Sequence, residues 1–145
     1  MIKPDINIMK VAIDAAEKNQ TPFGAALAMG NELFAAAANQ TSKLHDPTAH
    51  AEVMVIRKLC SQLKKTDLSG FTLYTTCEPC PMCMSAAIWA RIDQVFYGCD
   101  IPTISDKMDQ INIRSRDVSK YSFHKLPSHG GVMEKKCLEL LQQFA

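Results

Sequence analysis

Three cysteines within seven residues, Cys77, Cys80 and Cys83, constrain the fold of this chain more than any other feature of its sequence. They follow the stretch 70–76, which is rich in β-branched and aromatic residues and predicts a short buried strand. Cys80 and Cys83 lie at the start of the segment 79–91, where prolines at 79 and 81 suit the first turn of a helix. The fold must therefore bring this strand end and helix start close to whatever partners the thiols need.

Helices and strands alternate along the rest of the chain. Apolar residues recur at helical spacing over 5–19, and Gly30 and Asn31 mark the turn of a hairpin. The remaining patterns predict hairpin strands near 23–29 and 32–38, a helix over about 49–64, a strand over 93–99, a short helix near 103–112, a strand near 121–126 and a final helix over 132–144. Strands that alternate with helices predict an α/β layered fold with some parallel strands.

Length and composition predict one ordinary domain spanning residues 1–145, with 47% apolar residues to build a single core. The first 20 residues carry several charges, unlike a secretory signal, and no apolar run reaches the roughly 18 residues of a membrane span. We therefore expect a cytoplasmic protein with reduced thiols and no membrane partner. A net charge of +1 gives no general attraction to nucleic acid, although a local basic stripe could form from Arg57, Lys58, Lys64 and Lys65.

Two kinds of site do not account for all three cysteines. A dithiol redox pair at a helix start would use two thiols and leave the third without a role. A ferredoxin-type iron–sulfur cluster would need a further cysteine after three intervening residues, but the chain has Ala87 there. The cluster therefore calls for a site that draws on another part of the chain.

A zinc site that includes His50 uses more of the sequence. Zinc in hydrolytic sites takes three nitrogen or sulfur ligands and keeps a fourth position for water, and the three ligands would be His50, Cys80 and Cys83. All three lie at predicted helix starts, so they converge if the two helices pack side by side on one sheet. Glu52 would then lie near the water, where it can take a proton and pass it to the substrate.

The other cysteines and Trp89 have simpler interpretations. Cys77 is interpreted as a small buried residue, because the metal needs an open position. Core positions on apolar stripes are also predicted for Cys60, Cys99 and Cys137. Trp89 lies on the helix that would carry the ligands, and both core packing and stacking on a base remain open for it.

At these residues the chain resembles the cytidine deaminase-like superfamily, because 50–52 and 79–83 match its H-x-E and P-C-x-x-C signature. The resemblance spans most of the chain and is close over about 22–100. It implies a three-layer α-β-α fold with a five-stranded mixed sheet, one Zn²⁺ per subunit on the three ligands above, Glu52 as proton carrier, and a homodimer. It also implies substrate contacts from Asn39, Phe23, Ala51, Pro79 and Trp89.

Within this superfamily the segments 22–25, 46–52, 56–60, 74–83 and 89–91 look most like the bacterial guanine deaminases. This implies a hydrolase of purine metabolism that acts on a cyclic amidine C–N bond, converting guanine to xanthine and ammonia. The alternatives are a tRNA-specific adenosine deaminase, with tRNA as partner, or a deaminase of another free base or nucleoside.

The chain departs from both patterns beyond its fourth predicted strand. Guanine deaminases carry an acidic segment there, whereas this chain has "SDKMDQINI" at 105–113. We expect Asp109, or alternatively Asp106, to replace the missing acid and to contact the substrate. The alternative is that this residue is a solvent-exposed carboxylate without a role in binding. The tail 130–144 resembles the closing helix of the tRNA enzymes, but their Lys-Thr-Gly-Ala loop and basic tail are absent from this sequence.

Overall fold

The computed structural model describes residues 3–145. The elements in chain order are α1 (Ile6–Lys18), β1 (Gly24–Met29), β2 (Glu32–Ala38), α2 (Thr41–Leu44), α3 (Ala51–Leu63), β3 (Thr72–Cys77), α4 (Pro81–Trp89), β4 (Gln94–Cys99), α5 (Ile101–Ser105), α6 (Ser115–Lys120), β5 (Ser128–His129) and α7 (Glu134–Phe144).

The five strands form one mixed sheet in the order β2-β1-β3-β4-β5. β1 is antiparallel to both β2 and β3, whereas β4 is parallel to β3 and to β5. Tight turns suffice for an antiparallel hairpin, and the parallel pair β3 and β4 needs the crossover that α4 provides. The predicted α/β fold with a five-stranded mixed sheet is confirmed.

Helices cover both faces of the sheet, which makes three layers. On one face α1 and α7 pack against alternate residues of the strands, including Ala26, Tyr74 and Phe96. On the other face α3 and α4 pack against the intervening residues, including Leu27 and Leu73. This alternation follows from the two-residue repeat of side chains along a strand.

Helix α1 lies very close to β1, and Gly24 makes that approach possible. A Cβ atom added at Gly24 would lie 2.0 Å from the backbone oxygen of Ala12. Asp5 is the N-cap residue of the helix, and its side chain accepts a hydrogen bond from the Asn7 backbone N–H. Its buried residues recur at helical spacing: Ile8, Met9, Ala12, Ile13 and Ala16.

The region after β4 differs from the sequence-based prediction. The predicted strand near 121–126 is wrong: Tyr121 and Phe123 are exposed, and β5 is the two-residue strand Ser128–His129. The helix predicted near 103–112 is shorter, Ile101–Ser105, and α6 over Ser115–Lys120 was not predicted. Among residues 3–145, every helix is too short or too polar to cross a membrane.

Candidate active site

The three predicted zinc ligands lie together in the structure. His50 Nδ1 is 3.7 Å from Cys80 Sγ and 3.5 Å from Cys83 Sγ. In residues 3–145 these side chains are the one group whose ligand atoms all lie within 4.8 Å of each other. Cys83 is fully buried, and Cys80 is 9% exposed. The geometry therefore agrees with the predicted convergence of one imidazole and two thiols.

The topology explains why residues 30 positions apart meet. Helix α3 leads into β3 and α4 leaves it, so both helices begin at the edge of the sheet where β3 ends. His50 is the N-cap residue of α3 and Cys80 is the N-cap residue of α4, both in extended conformation. The positive ends of two helix dipoles therefore point at the site, where they favour thiolates.

The two thiols differ in their ionisation because they share one proton. The pKa of Cys80 falls to about 4, mainly because the Cys83 thiol donates a hydrogen bond to its thiolate, with His50 contributing further. The same hydrogen bond, together with burial, raises the pKa of Cys83. Metal ligands must be deprotonated, so a divalent cation would take the place of the proton that the two sulfurs share. One nitrogen and two sulfur donors fit zinc and leave a fourth position open.

Glu52 lies in the first turn of α3, two residues after His50, and its side chain is only 5% exposed. Burial raises the pKa of its carboxyl to about 7, and the negative charge of Cys80 adds to this shift. The carboxyl is not part of the ligand cluster. A group with a pKa near neutrality can both accept and release a proton under physiological conditions.

A cavity of about 170 Å³ opens beside the ligand cluster and Glu52. Of the predicted substrate-binding residues, three line this cavity: Phe23, Asn39 and Asp109. Ala51 and Pro79 are buried neighbours of Glu52 and Cys80 and do not line it. Cys77 is buried, as predicted for a core residue, and also contributes to the cavity wall.

Trp89 lies apart from this cavity. The side chain is 73% exposed at the end of α4, and its ring centroid is 4.8 Å from that of Phe123. The indole is therefore neither a core residue nor part of the cavity wall.

Several cavity residues have no signal in the sequence. Met108, Gln110 and Thr41 line the cavity from segments without a motif. Glu78 also lines it, although it stands inside the "CEPC" stretch and could have been noticed as an acid between a buried strand and a ligand. These residues reach the cavity through long-range packing, which local patterns do not encode.

A larger groove of about 660 Å³ lies between α1, β2 and α3. It is lined by residues such as Asp14, Lys18 and Arg57 and includes no member of the ligand cluster. The imidazole, thiols and buried carboxyl that can perform chemistry are all at the smaller cavity, which is therefore the candidate active site.

Comparison with known families gives one match that covers most of the chain. Residues 2–99 match the model of the cytidine and deoxycytidylate deaminase zinc-binding region. The match includes all three metal ligands and Glu52.

Curated relatives include proteins of two activities. A tRNA-specific adenosine deaminase of Agrobacterium fabrum is 37% identical over 134 residues, covering 92% of this chain and 86% of the relative. A guanine deaminase of Bacillus subtilis is 47% identical over 79 residues, covering 54% of this chain and 51% of the relative. The tRNA enzyme is thus similar along nearly the whole chain, and the guanine enzyme is more similar over a shorter part.

Similar solved structures include proteins of both kinds. One from a study of tRNA:A34 deaminases has a TM-score of 0.81 at 31% identity and covers 94% of this chain and 99% of that one. A guanine deaminase from Nitrosomonas europaea has a TM-score of 0.88 at 20% identity and covers 99% of this chain and 86% of that one, which shows a shared fold.

Proposed function

Because this chain belongs to the family of cytidine and deoxycytidylate deaminase zinc-binding domains, we propose that it hydrolyses the bond between a purine ring carbon and its amino group, with guanine as the first substrate. The family is one of zinc-dependent deaminases, and His50, Cys80 and Cys83 supply its metal site. The observation that carries the proposal is a buried glutamate beside that site, in a cavity whose wall includes Asn39 and Asp109.

Glu52 performs the proton transfers in the proposed reaction. His50, Cys80 and Cys83 would hold a zinc ion, which would supply Lewis acidity and lower the pKa of a water molecule to about 7. Glu52 accepts a proton from the water and delivers it to the departing nitrogen. The water oxygen forms a bond to the ring carbon, the carbon–nitrogen bond breaks, and the products are ammonia and the oxo-purine. For guanine that product is xanthine.

The size of the cavity supports a single base as the group that enters it. About 170 Å³ is well below the roughly 300–1,000 Å³ of pockets that hold drug-sized ligands. Phe23 offers an aromatic ring at the wall, where a purine can stack. The site therefore suits one bicyclic base.

Asn39 and Asp109 offer complementary hydrogen bonding to such a base. Asn39 Oδ1 accepts a hydrogen bond from the Thr41 backbone N–H at 3.0 Å, which directs the side-chain amino group towards other acceptors. Asp109 is a carboxylate that can only accept when ionised. Guanine carries both acceptors, at O6 and ring nitrogens, and N–H donors, so it can satisfy both side chains.

The second candidate is an adenosine within tRNA. Similarity to tRNA-specific adenosine deaminases extends along 92% of this chain. In addition, a neighbouring cavity of about 370 Å³ shares Phe23, Asn39, Thr41 and Met108 with the active site and continues to Lys43. That polar continuation could hold a ribose and a phosphate of a longer substrate.

Ammonia release tests the proposal across guanine, guanosine, adenine, cytosine and an anticodon stem-loop. The control is Glu52→Gln, which keeps the shape of the side chain and removes its proton-carrying carboxylate. We expect release from guanine that the control abolishes. Release from the stem-loop alone, with affinity that falls steeply with salt, would assign the tRNA reaction instead. No release from any purine would refute the proposed function.

We also propose that two copies associate through the outer face of α4. The helix is apolar on nearly all sides, with Met82 and Ala86 half-buried and Trp89 exposed. A helix that is apolar all round is normally covered all round, which a second copy would achieve.

A further inference from the structure

We propose that Glu78 is a positioning residue: its carboxylate, through Arg114 and the start of α5, holds the segment 106–113 that forms one wall of the active-site cavity, and so sets the affinity for the base. This inference rests on the proposed function for the identity of the base. It concerns a residue of the cavity wall that lies outside the ligand cluster.

Both oxygens of the Glu78 carboxylate accept hydrogen bonds from donors in two other parts of the chain. Oε1 accepts hydrogen bonds from the Ile101 backbone N–H at 2.8 Å and from Arg114 Nε at 2.9 Å. Oε2 accepts from the Ser115 backbone N–H at 2.8 Å and from the Ser115 hydroxyl at 2.7 Å. The residue is 2% exposed. Because both oxygens accept hydrogen bonds and the side chain is buried, the carboxylate is a fixed anchor.

These donors stand on the two sides of the cavity wall. Ile101 is the first residue of α5, and Arg114 is the N-cap residue of α6. Between the helices, 106–113 forms no helix or strand, and it contributes Met108, Asp109 and Gln110 to the cavity. One carboxylate therefore holds the start of α5, the helix that leads into the irregular segment, and the start of α6, the helix that follows it.

Contacts within the segment itself are few. Ile111 and Ile113 are exposed, and the hydrogen bonds of 110–113 run between close neighbours, such as Ile113 N–H to the Ile111 oxygen. Met108 is the part that packs on the core. A segment with little packing of its own takes its position from its anchored ends.

The anchor is attached directly to the metal site. Glu78 lies between the end of β3 at Cys77 and the ligand Cys80. The Arg114 guanidinium also lies 3.4 Å from the Tyr97 hydroxyl on β4, which fixes its plane. The wall is thus held at a set distance from the ligands, as substrate positioning requires.

The test uses the zinc-loaded full chain and 8-azaguanine as the probe. Glu78→Gln keeps the side-chain shape but places an N–H₂ group against donors, Arg114→Met removes the guanidinium, and Arg114→Lys keeps the charge without the fork. The control is Tyr74→Phe, which removes the hydroxyl that accepts a hydrogen bond from the Asp5 backbone N–H, away from the cavity. Calorimetry measures the Kd, metal analysis the zinc content, and hydrogen exchange the mobility of 106–113.

We expect Glu78→Gln and Arg114→Met to raise the Kd at least tenfold and to speed exchange in 106–113, with one zinc per chain retained. Arg114→Lys should lie between these variants and the wild type, and Tyr74→Phe should change neither quantity. A Kd within twofold of wild type and unchanged exchange in both main variants would overturn the proposal. If the wild type does not bind the probe, the proposed function fails, and exchange in 106–113 alone decides whether Glu78 holds the wall. If Glu78→Gln does not fold, the two Arg114 variants decide.

Discussion

Thr76 offers a precise test of how the sheet holds the aromatic wall of the active site. Its hydroxyl donates to the Pro22 oxygen at 2.7 Å and accepts from the Gly24 N–H at 3.1 Å. The side chain is fully buried. Both bonds flank Phe23, which lines the cavity. Thr76→Val keeps the shape of the side chain and removes the hydroxyl.

The cost follows from the two backbone groups that lose their partner. A buried polar group left without a hydrogen bond costs about 1–3 kcal/mol, so two give about 2–6 kcal/mol. Relaxation of the short connection 22–24 brings the expected loss in the free energy of unfolding to about 2–3 kcal/mol. For a chain of this length that corresponds to a fall in Tm of about 4–12 °C.

Urea denaturation at fixed zinc concentration measures this loss, because bound metal adds its own stabilisation. Thr76→Ser is the matched control: it keeps both hydrogen bonds, loses one methyl group, and should cost about 1 kcal/mol. We also expect Thr76→Val to raise KM more than it lowers kcat, since Phe23 moves while Glu52 does not. A loss below 0.5 kcal/mol for the valine variant, or equal losses for both variants, would refute the reasoning.

Four further predictions concern the metal site, Glu52, the packing of the first helix and the assembly. His50→Ala should lower zinc affinity by more than about 100-fold, because changing a residue that only hydrogen-bonds to a ligand already costs roughly 10–100-fold. Metal analysis after dialysis measures this loss. Glu52→Gln should retain one zinc and lower kcat by about 10²–10⁴-fold, and a variant with wild-type turnover would exclude Glu52 from the reaction. Gly24→Ala should leave little folded protein, because the added Cβ would meet the backbone of Ala12 at 2.0 Å, and a native circular dichroism spectrum would contradict this. For the assembly, Trp89→Lys should convert a dimer into a monomer in light scattering, and an unchanged mass would remove α4 from the interface.

The metal ligands could be predicted because their signal is local. His50 and the cysteines stand at helix starts, and the residue types and spacing identify those starts without any knowledge of the fold. β3 and β4 were predicted for a similar reason: strands buried on both faces form short apolar runs, and all residues of Thr72–Cys77 and Gln94–Cys99 are buried.

The region 101–129 could not be predicted because its structure depends on distant partners. The two residues of β5 are a strand only because β4 pairs with them, at Val95 with Ser128 and Phe96 with His129. Likewise, α6 begins where Ser115 donates to a carboxylate 37 positions earlier in the chain. Neither feature leaves a periodic pattern, and the wall around Met108 inherits the same difficulty.

The irregular wall of the cavity has a consequence for how selectivity can change. The segment 106–113 contributes no strand and no metal ligand, and it joins the framework mainly at its ends. Its sequence can therefore diverge, or be transplanted from a relative, while the ligand cluster and Glu52 stay in place. In a lineage of related proteins, the type of reaction can therefore stay the same while the preferred substrate changes.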